Sequence, residues 1–289
     1  MDSSDLAVRM KTYYEKIPQT KLIRRTPVAI RIDGKAFHSY TRGFQKPFDK
    51  VLIKSMQDTM KYLCENIQGC VFGYTQSDEI TLILIDYQNL NSSAWFDYKA
   101  QKLCSISASM ATMAFNKFFD KNYLENIANR YYWSEEIPDY ILAEDRARKK
   151  GAMFDSRCFN IPKEEVTNLI YWRQLDAIRN SIQMVGQANF PHKELQNKSC
   201  NDIQDMLMEQ KGINWNDYPA HQKRGSCCIK TEKNITEHNS DETMKLGKGR
   251  KKVAAIIERP HWIIDTEIPI FKGEGRKYID NLVFIESEN

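Results

Sequence analysis

Two hydrophobic periods alternate along this chain. Val28-Ala29-Ile30-Arg31-Ile32, Cys70-Val71-Phe72-Gly73-Tyr74 and Ile80-Thr81-Leu82-Ile83-Leu84-Ile85 are apolar runs of strand length. The first is stopped by Asp33-Gly34, and Gln76-Ser77-Asp78 separates the other two with turn chemistry, which predicts a β-hairpin. Between the first strand and the hairpin, Leu52, Met56, Met60, Leu63 and Ile67 recur at helical spacing, and Gly69 follows as a helix-ending residue. A second long helix is expected from about 97 to 119, rich in Ser, Ala and Met and thus slim enough to lie close to a sheet. A short helix over 5–16 starts behind a possible Ser4 cap. Residues 37–49, with Gly43 and Pro47, read as a loop; 153–160 reads as a further strand and 164–185 as a helix.

The order strand, helix, hairpin, helix, strand predicts an α+β fold. The expected plan is a polymerase-palm-like split βαβ sheet, with helices packed on one face and a C-terminal extension. Residues 1–150 would form the palm-like catalytic core. Residues 151–289 would complete it and add a C-terminal region, in one compact unit. The hydrophilic stretch 230–252 reads as a projecting loop or hairpin, and the apolar segments 253–257 and 282–285 as chain that packs back on the body.

Composition narrows the class. At 289 residues, 42% apolar and 28% charged, the chain can bury a sizeable core. Its net charge of +4 is too small to demand nucleic acid, so any RNA-binding surface has to come from clustering. The seven cysteines are scattered with no Cys-x-x-Cys pair, which favours reduced thiols over zinc ligands. The acidic, polar N-terminus does not read as a signal peptide, and no apolar run has membrane-spanning length. A soluble, cytoplasmic protein with no membrane partner is expected.

The candidate chemistry centres on Asp33 and Asp78. In a split βαβ sheet an Asp at the end of the first strand faces the hairpin turn. Two carboxylates there repel each other unless a cation or a shared proton intervenes. Mg²⁺ would relieve the repulsion and bridge phosphate oxygens, with the Gly34 carbonyl as a further oxygen ligand. Asp is also a common turn residue, and on these residues alone the turn and ligand readings stand level. Lys35, Arg42, Lys46, Lys50 and Lys54 follow the first strand, interleaved with Phe37, His38, Phe44 and Phe48. Lysines could hold phosphate oxygens and an aromatic could stack on a base, although a solvated loop explains the charges equally well. Lys99 and Lys102 open the second long helix, where a phosphate near the hairpin could reach them. Basic, aromatic-flanked segments recur at Phe154-Asp155-Ser156-Arg157, Trp172-Arg173-Gln174-Leu175-Asp176 and Lys223-Arg224-Gly225. Such segments suit an RNA backbone and a splayed end, and each alone is also ordinary surface.

Taken in order, these segments resemble the tRNA(His) guanylyltransferase family, most of all its guanylyltransferase-like 3′–5′ RNA polymerase branch. The resemblance runs from Arg31-Ile32-Asp33-Gly34-Lys35 through Lys46-Pro47-Phe48-Asp49 and Gly73-Tyr74-Thr75-Gln76-Ser77-Asp78-Glu79 to Arg224-Gly225. It implies an enzyme that activates the 5′-phosphate of a tRNA with ATP or GTP and then adds a nucleotide in the 3′–5′ direction. By the same resemblance, Asp33, Asp78 and the Gly34 carbonyl would hold two Mg²⁺ ions, and Glu79 would support them as a catalytic residue. His38, Lys46, Asp49, Ser77, Lys99 and Lys102 would bind the nucleoside triphosphates, Arg157 and Arg224 the RNA, and the assembly would be a homotetramer. Eukaryotic members carry His-Ile-Asn-Asn where this chain has Ile178-Arg179-Asn180-Ser181, and Phe48 replaces a common Asn. That departure puts template-dependent repair of tRNA 5′ ends first and dedicated guanylylation of tRNA(His) second. A nucleotide-cyclase-like palm and a non-catalytic tRNA-binding protein are the remaining alternatives.

Overall fold

The computed structural model describes residues 4–130, 137–234 and 258–285. Helix α1 (Asp5–Met10) is capped by the Ser4 hydroxyl and leads into strand β1 (Val28–Gly34). A single-turn helix α2 (Phe37–Tyr40) lies within the segment expected to be loop, before α3 (Lys50–Asn66). The hairpin β2 (Cys70–Gln76) and β3 (Glu79–Leu84) follows, then α4 (Ala100–Arg130), α5 (Asp139–Lys150) and β4 (Phe154–Asn160). The second half holds α6 (Lys163–Asn189), α7 (His192–Leu195), α8 (Cys200–Lys211), α9 (Ala220–Arg224), β5 (Ser226–Asn234), β6 (Glu258–Asp265) and α10 (Lys277–Val283). The expected projecting stretch thus begins as strand β5 up to Asn234; residues 235–252 and the apolar segment 253–257 lie outside the described residues. At the other end, Val283 of α10 is buried and Leu282 half-buried, but Phe284 and Ile285 are exposed, so the expected packing of 282–285 holds only for its first half.

All six strands form one antiparallel sheet in the order β4-β1-β3-β2-β5-β6. Strand β3 lies between β1 and β2, so the hairpin is inserted into the crossover made by β1, α3 and β2. Three registers matter for function: Asp33 pairs with Glu79 on one side and with Asp155 on the other, while Arg31 pairs with Arg157.

Alternation along β1 divides the core. Val28, Ile30 and Ile32 pack with Met56, Met60 and Leu63 of α3 and Leu103, Ala111 and Phe115 of α4. Ala29 faces the other way, joining Phe72, Tyr74 and Ile83 against Val166 and Ile170 of α6 and Ile279 and Val283 of α10. The expectation of helices on one face is therefore corrected: helices cover both. A strand with only one covered face would alternate apolar and polar, and the near-continuous apolar runs of β1, β2 and β3 follow from burial on both sides. Burying each large side chain contributes about 1.5–3 kcal/mol, so neither layer is expendable. A smaller cluster joins Ile182 and Val185 of α6 to Ile203 and Leu207 of α8. All seven cysteines are free, and no described helix is long and apolar enough to cross a membrane.

Candidate active site

The acidic end of the sheet is built by local geometry that tolerates few substitutions. Gly34 ends β1, and its amide donates to the Asp78 carbonyl at 3.1 Å, fastening the strand to the hairpin turn. A Cβ on Gly34 would lie 2.2 Å from the Phe37 ring, so only glycine lets the aromatic cluster of Phe37, Tyr40, Phe115 and Phe154 seat beneath it. In the turn, Ser77 takes a left-handed conformation (φ 50°) and its hydroxyl donates to Asp78 Oδ1 at 3.0 Å.

Burial, followed by the negative charges of Glu79 and Asp155, pushes the Asp33 carboxyl above its ordinary value; Arg31 and Arg157 pull it back. Burial also raises Asp78, with the Ser77 hydroxyl opposing and Asp33 adding to the rise. Two carboxyls that each resist ionisation, through burial and the negative charge around them, are what a cation would relieve. Among the described residues no three His, Cys, Asp or Glu side chains form a self-contained metal cage. A pair of carboxylates with a backbone carbonyl still suits Mg²⁺, which keeps waters and takes its other ligands from substrate phosphates. Asp33, Asp78 and the Gly34 carbonyl fit that description.

Glu79 has a different task. It is buried, and each of its oxygens accepts from two guanidiniums: Arg31 of β1 at 2.9 and 2.8 Å, and Arg173 of α6 at 2.8 and 2.8 Å. Arg173 Nη2 also reaches Asp176 Oδ2 at 3.0 Å. Glu79 thus ties β1, β3 and α6 together, with its charge spent on the two arginines.

Beside the turn opens a cleft of about 440 Å³ lined by His38, Lys46, Asp49, Ser77 and Asp78, with Met184 and Gln187 of α6 also in its wall. A smaller lobe of about 80 Å³ shares Asp49, Ser77 and Met184 and adds Phe48, Asn180, Ser181, His221 and Gly225. Asp49 is buried and caps α3: its two oxygens accept from the Leu52 amide at 2.8 Å and the Gln45 amide at 3.1 Å. The aromatics proposed for base stacking divide. Phe37 and Phe44 are nearly buried core rings that show only an edge in the wall of the larger cleft, whereas Phe48 lines the small lobe against Tyr218.

Lys99 and Lys102 do not join this site. Ser107 of α4 meets Ser156 at 2.8 Å and Thr112 accepts from the Phe154 amide at 3.2 Å, so Asp155 and Asp33 lie level with the helix between 107 and 112. The two lysines precede that level by roughly 10–15 Å at 1.5 Å per residue. Lys99 bridges to Lys21, and the Lys102 ammonium lies 5.4 Å from the Phe96 ring. The expectation that they sit near the hairpin is corrected within the single chain: the helix begins at the opposite end of the sheet.

Arg157 stands on the same sheet face as Asp33, with more than half of its side chain exposed and Asp155 at 3.3 Å. Arg224 is half-buried, and its Nε donates to the Ile268 carbonyl at 2.9 Å. The following Gly225 (φ 86°) passes so near β2 that a Cβ would lie 2.5 Å from the Thr75 carbonyl oxygen. In the sequence, Arg31, Trp172 and Arg173 carried signal only as members of motifs; their convergence on Glu79 is a tertiary fact. His221, Met184 and Gln187 carried none.

The family described as Thg1, tRNAHis guanylyltransferase, matches residues 7–162. A bacterial tRNA(His) guanylyltransferase (Thg1)-like protein solved with ATP superposes with a TM-score of 0.76 at 38% identity, covering 97% of this chain and 100% of its own. One solved with GTP superposes at 0.72 and 35% identity, covering 98% and 100%. The tRNA(His) guanylyltransferase of Saccharomyces cerevisiae is 27% identical over 213 residues, 69% of this chain and 80% of its own length. A probable tRNA(His) guanylyltransferase of Dictyostelium discoideum is 26% identical over 256 residues, 83% and 90%.

Proposed function

The chain belongs to the tRNAHis guanylyltransferase family and is a nucleotidyltransferase; from that premise we propose that it adds guanylate to the 5′ end of a tRNA, in the 3′–5′ direction, on a palm-like sheet. The observation that carries the reading is the junction of the Asp33–Asp78 pair with the cleft holding His38, Lys46 and Ser77. The ATP and GTP bound by the bacterial neighbours support nucleoside triphosphates as its substrates.

In the first step a 5′-phosphate oxygen attacks the α-phosphorus of ATP or GTP, and pyrophosphate leaves. In the second, the 3′-hydroxyl of GTP attacks the activated 5′-phosphorus, and the nucleoside monophosphate leaves. Mg²⁺ held by Asp33, Asp78 and the Gly34 carbonyl would neutralise phosphate charge and align attacking and leaving oxygens. Lys46 offers a cation to the triphosphate, and the Ser77 hydroxyl orients Asp78. Glu79 holds the scaffold through Arg31 and Arg173 and leaves ligation to the aspartates. Arg157 offers its exposed guanidinium to the RNA end. The cytoplasmic setting and the homotetramer stay with this proposal as family features.

The names of the curated relatives favour guanylate addition over the templated repair that the sequence placed first. One observation keeps repair as a second reading. Ser181, standing where eukaryotic members have Asn, is buried and occupied: its hydroxyl reaches the Ile178 and Lys223 carbonyls at 2.8 and 3.1 Å and accepts from Trp215 Nε1 at 3.2 Å. Incubation with ATP, Mg²⁺ and α-labelled GTP, using 5′-monophosphorylated full-length tRNA(His) beside 5′-truncated tRNAs, separates the two. After nuclease digestion a GTP-activated end keeps its label phosphatase-resistant, so phosphatase-sensitive label from the full-length substrate supports guanylylation, such label restricted to truncated substrates supports repair, and its absence from both refutes the assignment.

A further inference from the structure

An aromatic ring stands beside the acidic site with no part in the chemistry above. Trp172 of α6 is 53% exposed, although it carries a large apolar ring. Its centroid lies 4.5 Å from the Arg173 guanidinium carbon and 5.5 Å from that of Arg31. Both guanidiniums are fixed by their paired bonds to Glu79. The indole is thereby held on a rigid polar base while half of it faces solvent.

Its position selects what it meets. Arg31 precedes Asp33 by two residues on the same face of β1, and its strand partner there is Arg157. A half-exposed aromatic ring, an exposed guanidinium and a candidate metal ligand therefore share one side of the sheet. The triphosphate cleft lies elsewhere along α6. Trp172 precedes Met184, its wall residue, by about 18 Å of helix. A nucleobase seated in that cleft is not one that Trp172 can stack.

We infer that Trp172 is the platform on which the 5′-terminal nucleobase of the RNA stacks, presenting the adjoining 5′-phosphate to the Asp33–Asp78 site. The inference rests on the reading of the chain as a 5′-end nucleotidyltransferase. Stacking on an indole tolerates any base, because every base offers a π face, and the Arg157 guanidinium beside it suits the backbone of the same strand. Trp172 is a positioning residue in this account; it touches the RNA and not the reacting phosphate.

The test uses the full chain and a 5′-monophosphorylated tRNA with 2-aminopurine as its first nucleotide, whose fluorescence falls when an aromatic ring stacks on it. Wild type and W172F should quench the probe, and W172L should not. W172L should weaken RNA binding roughly tenfold, within the range for loss of one base–aromatic stack, while KM for ATP stays unchanged. Wild-type extension of the tRNA with equal quenching by W172L overturns this inference alone. Loss of quenching in W172L that W172F fails to restore overturns it too, since that reports disturbed structure. A wild-type protein that neither binds nor extends the tRNA overturns the inference together with the function beneath it.

Discussion

Replacing Glu79 by Gln separates a scaffold role from ligation. The carboxylate is 5% exposed and takes four charge-assisted hydrogen bonds from Arg31 and Arg173. Gln preserves the shape but removes the charge, and its amide N–H groups must then face guanidinium N–H groups. Arg173, itself buried, would keep only Asp176 as a carboxylate partner. Removing one partner of a buried ion pair costs about 3–5 kcal/mol, because the remaining charge stays desolvated. For an m-value near 3 kcal/mol/M, the urea midpoint should fall by roughly 1–2 M with the slope unchanged. Activity should fall with it and recover in part at low temperature, where the variant stays folded. An E79Q protein as stable as wild type but inactive at every temperature would refute the scaffold reading and make Glu79 a ligand or an acid–base group.

Asp33→Asn and Asp78→Asn should abolish transfer while leaving the fold at least as stable. Burial raises both carboxyls, so their contribution favours folding below the ordinary carboxylate pKa of about 4 and is lost as the pH rises through the raised values; thermal scans from pH 4 to 7 without Mg²⁺ should show a shallower loss in the variants than in wild type. Asp49→Ser keeps a capping oxygen and should cost under about 1 kcal/mol, against about 1–2 for Asp49→Ala; a raised KM for ATP in Asp49→Ser with unchanged stability would mark Asp49 as a nucleotide contact besides a cap. Gly225→Ala should destabilise by about 1–3 kcal/mol and disorder the small lobe, since its Cβ meets the Thr75 carbonyl oxygen at 2.5 Å; a variant of wild-type stability by urea titration would refute the close approach.

The central strands were legible because burial on both faces leaves long apolar runs that end abruptly at Asp33-Gly34 and at the Ser77-Asp78 turn. The same double burial hid the second helical layer: α6 carries Val166 and Ile170 beneath the sheet but exposes Trp172 and Leu175, so its periodicity does not announce which partner it covers. Strands β5 and β6 were illegible for another reason. Cys227-Cys228-Ile229 is a short apolar core inside a charged stretch, and Pro260 lies within β6. In the site, Asp33, Asp78, Lys46 and Ser77 came from motifs, and the fold brings Lys46, Ser77 and Asp78 into one cleft that Asp33 does not line. Glu79 was visible as a residue but not as the centre of a network, since its partners lie 48 and 94 positions away. Lys99 and Lys102 were placed by sequence proximity to the hairpin, and α4 runs back from the far end of the sheet.

The most direct measurement follows the first chemical step alone. A tRNA carrying ³²P in its 5′-phosphate is incubated with ATP and Mg²⁺, digested with nuclease and treated with phosphatase. Wild-type protein should convert the label into a phosphatase-resistant adenylylated nucleotide, and Asp33→Asn and Asp78→Asn should leave it phosphatase-sensitive while unfolding as cooperatively as wild type. Adenylylated product from either variant at the wild-type rate would contradict the claim that the two aspartates carry the transfer.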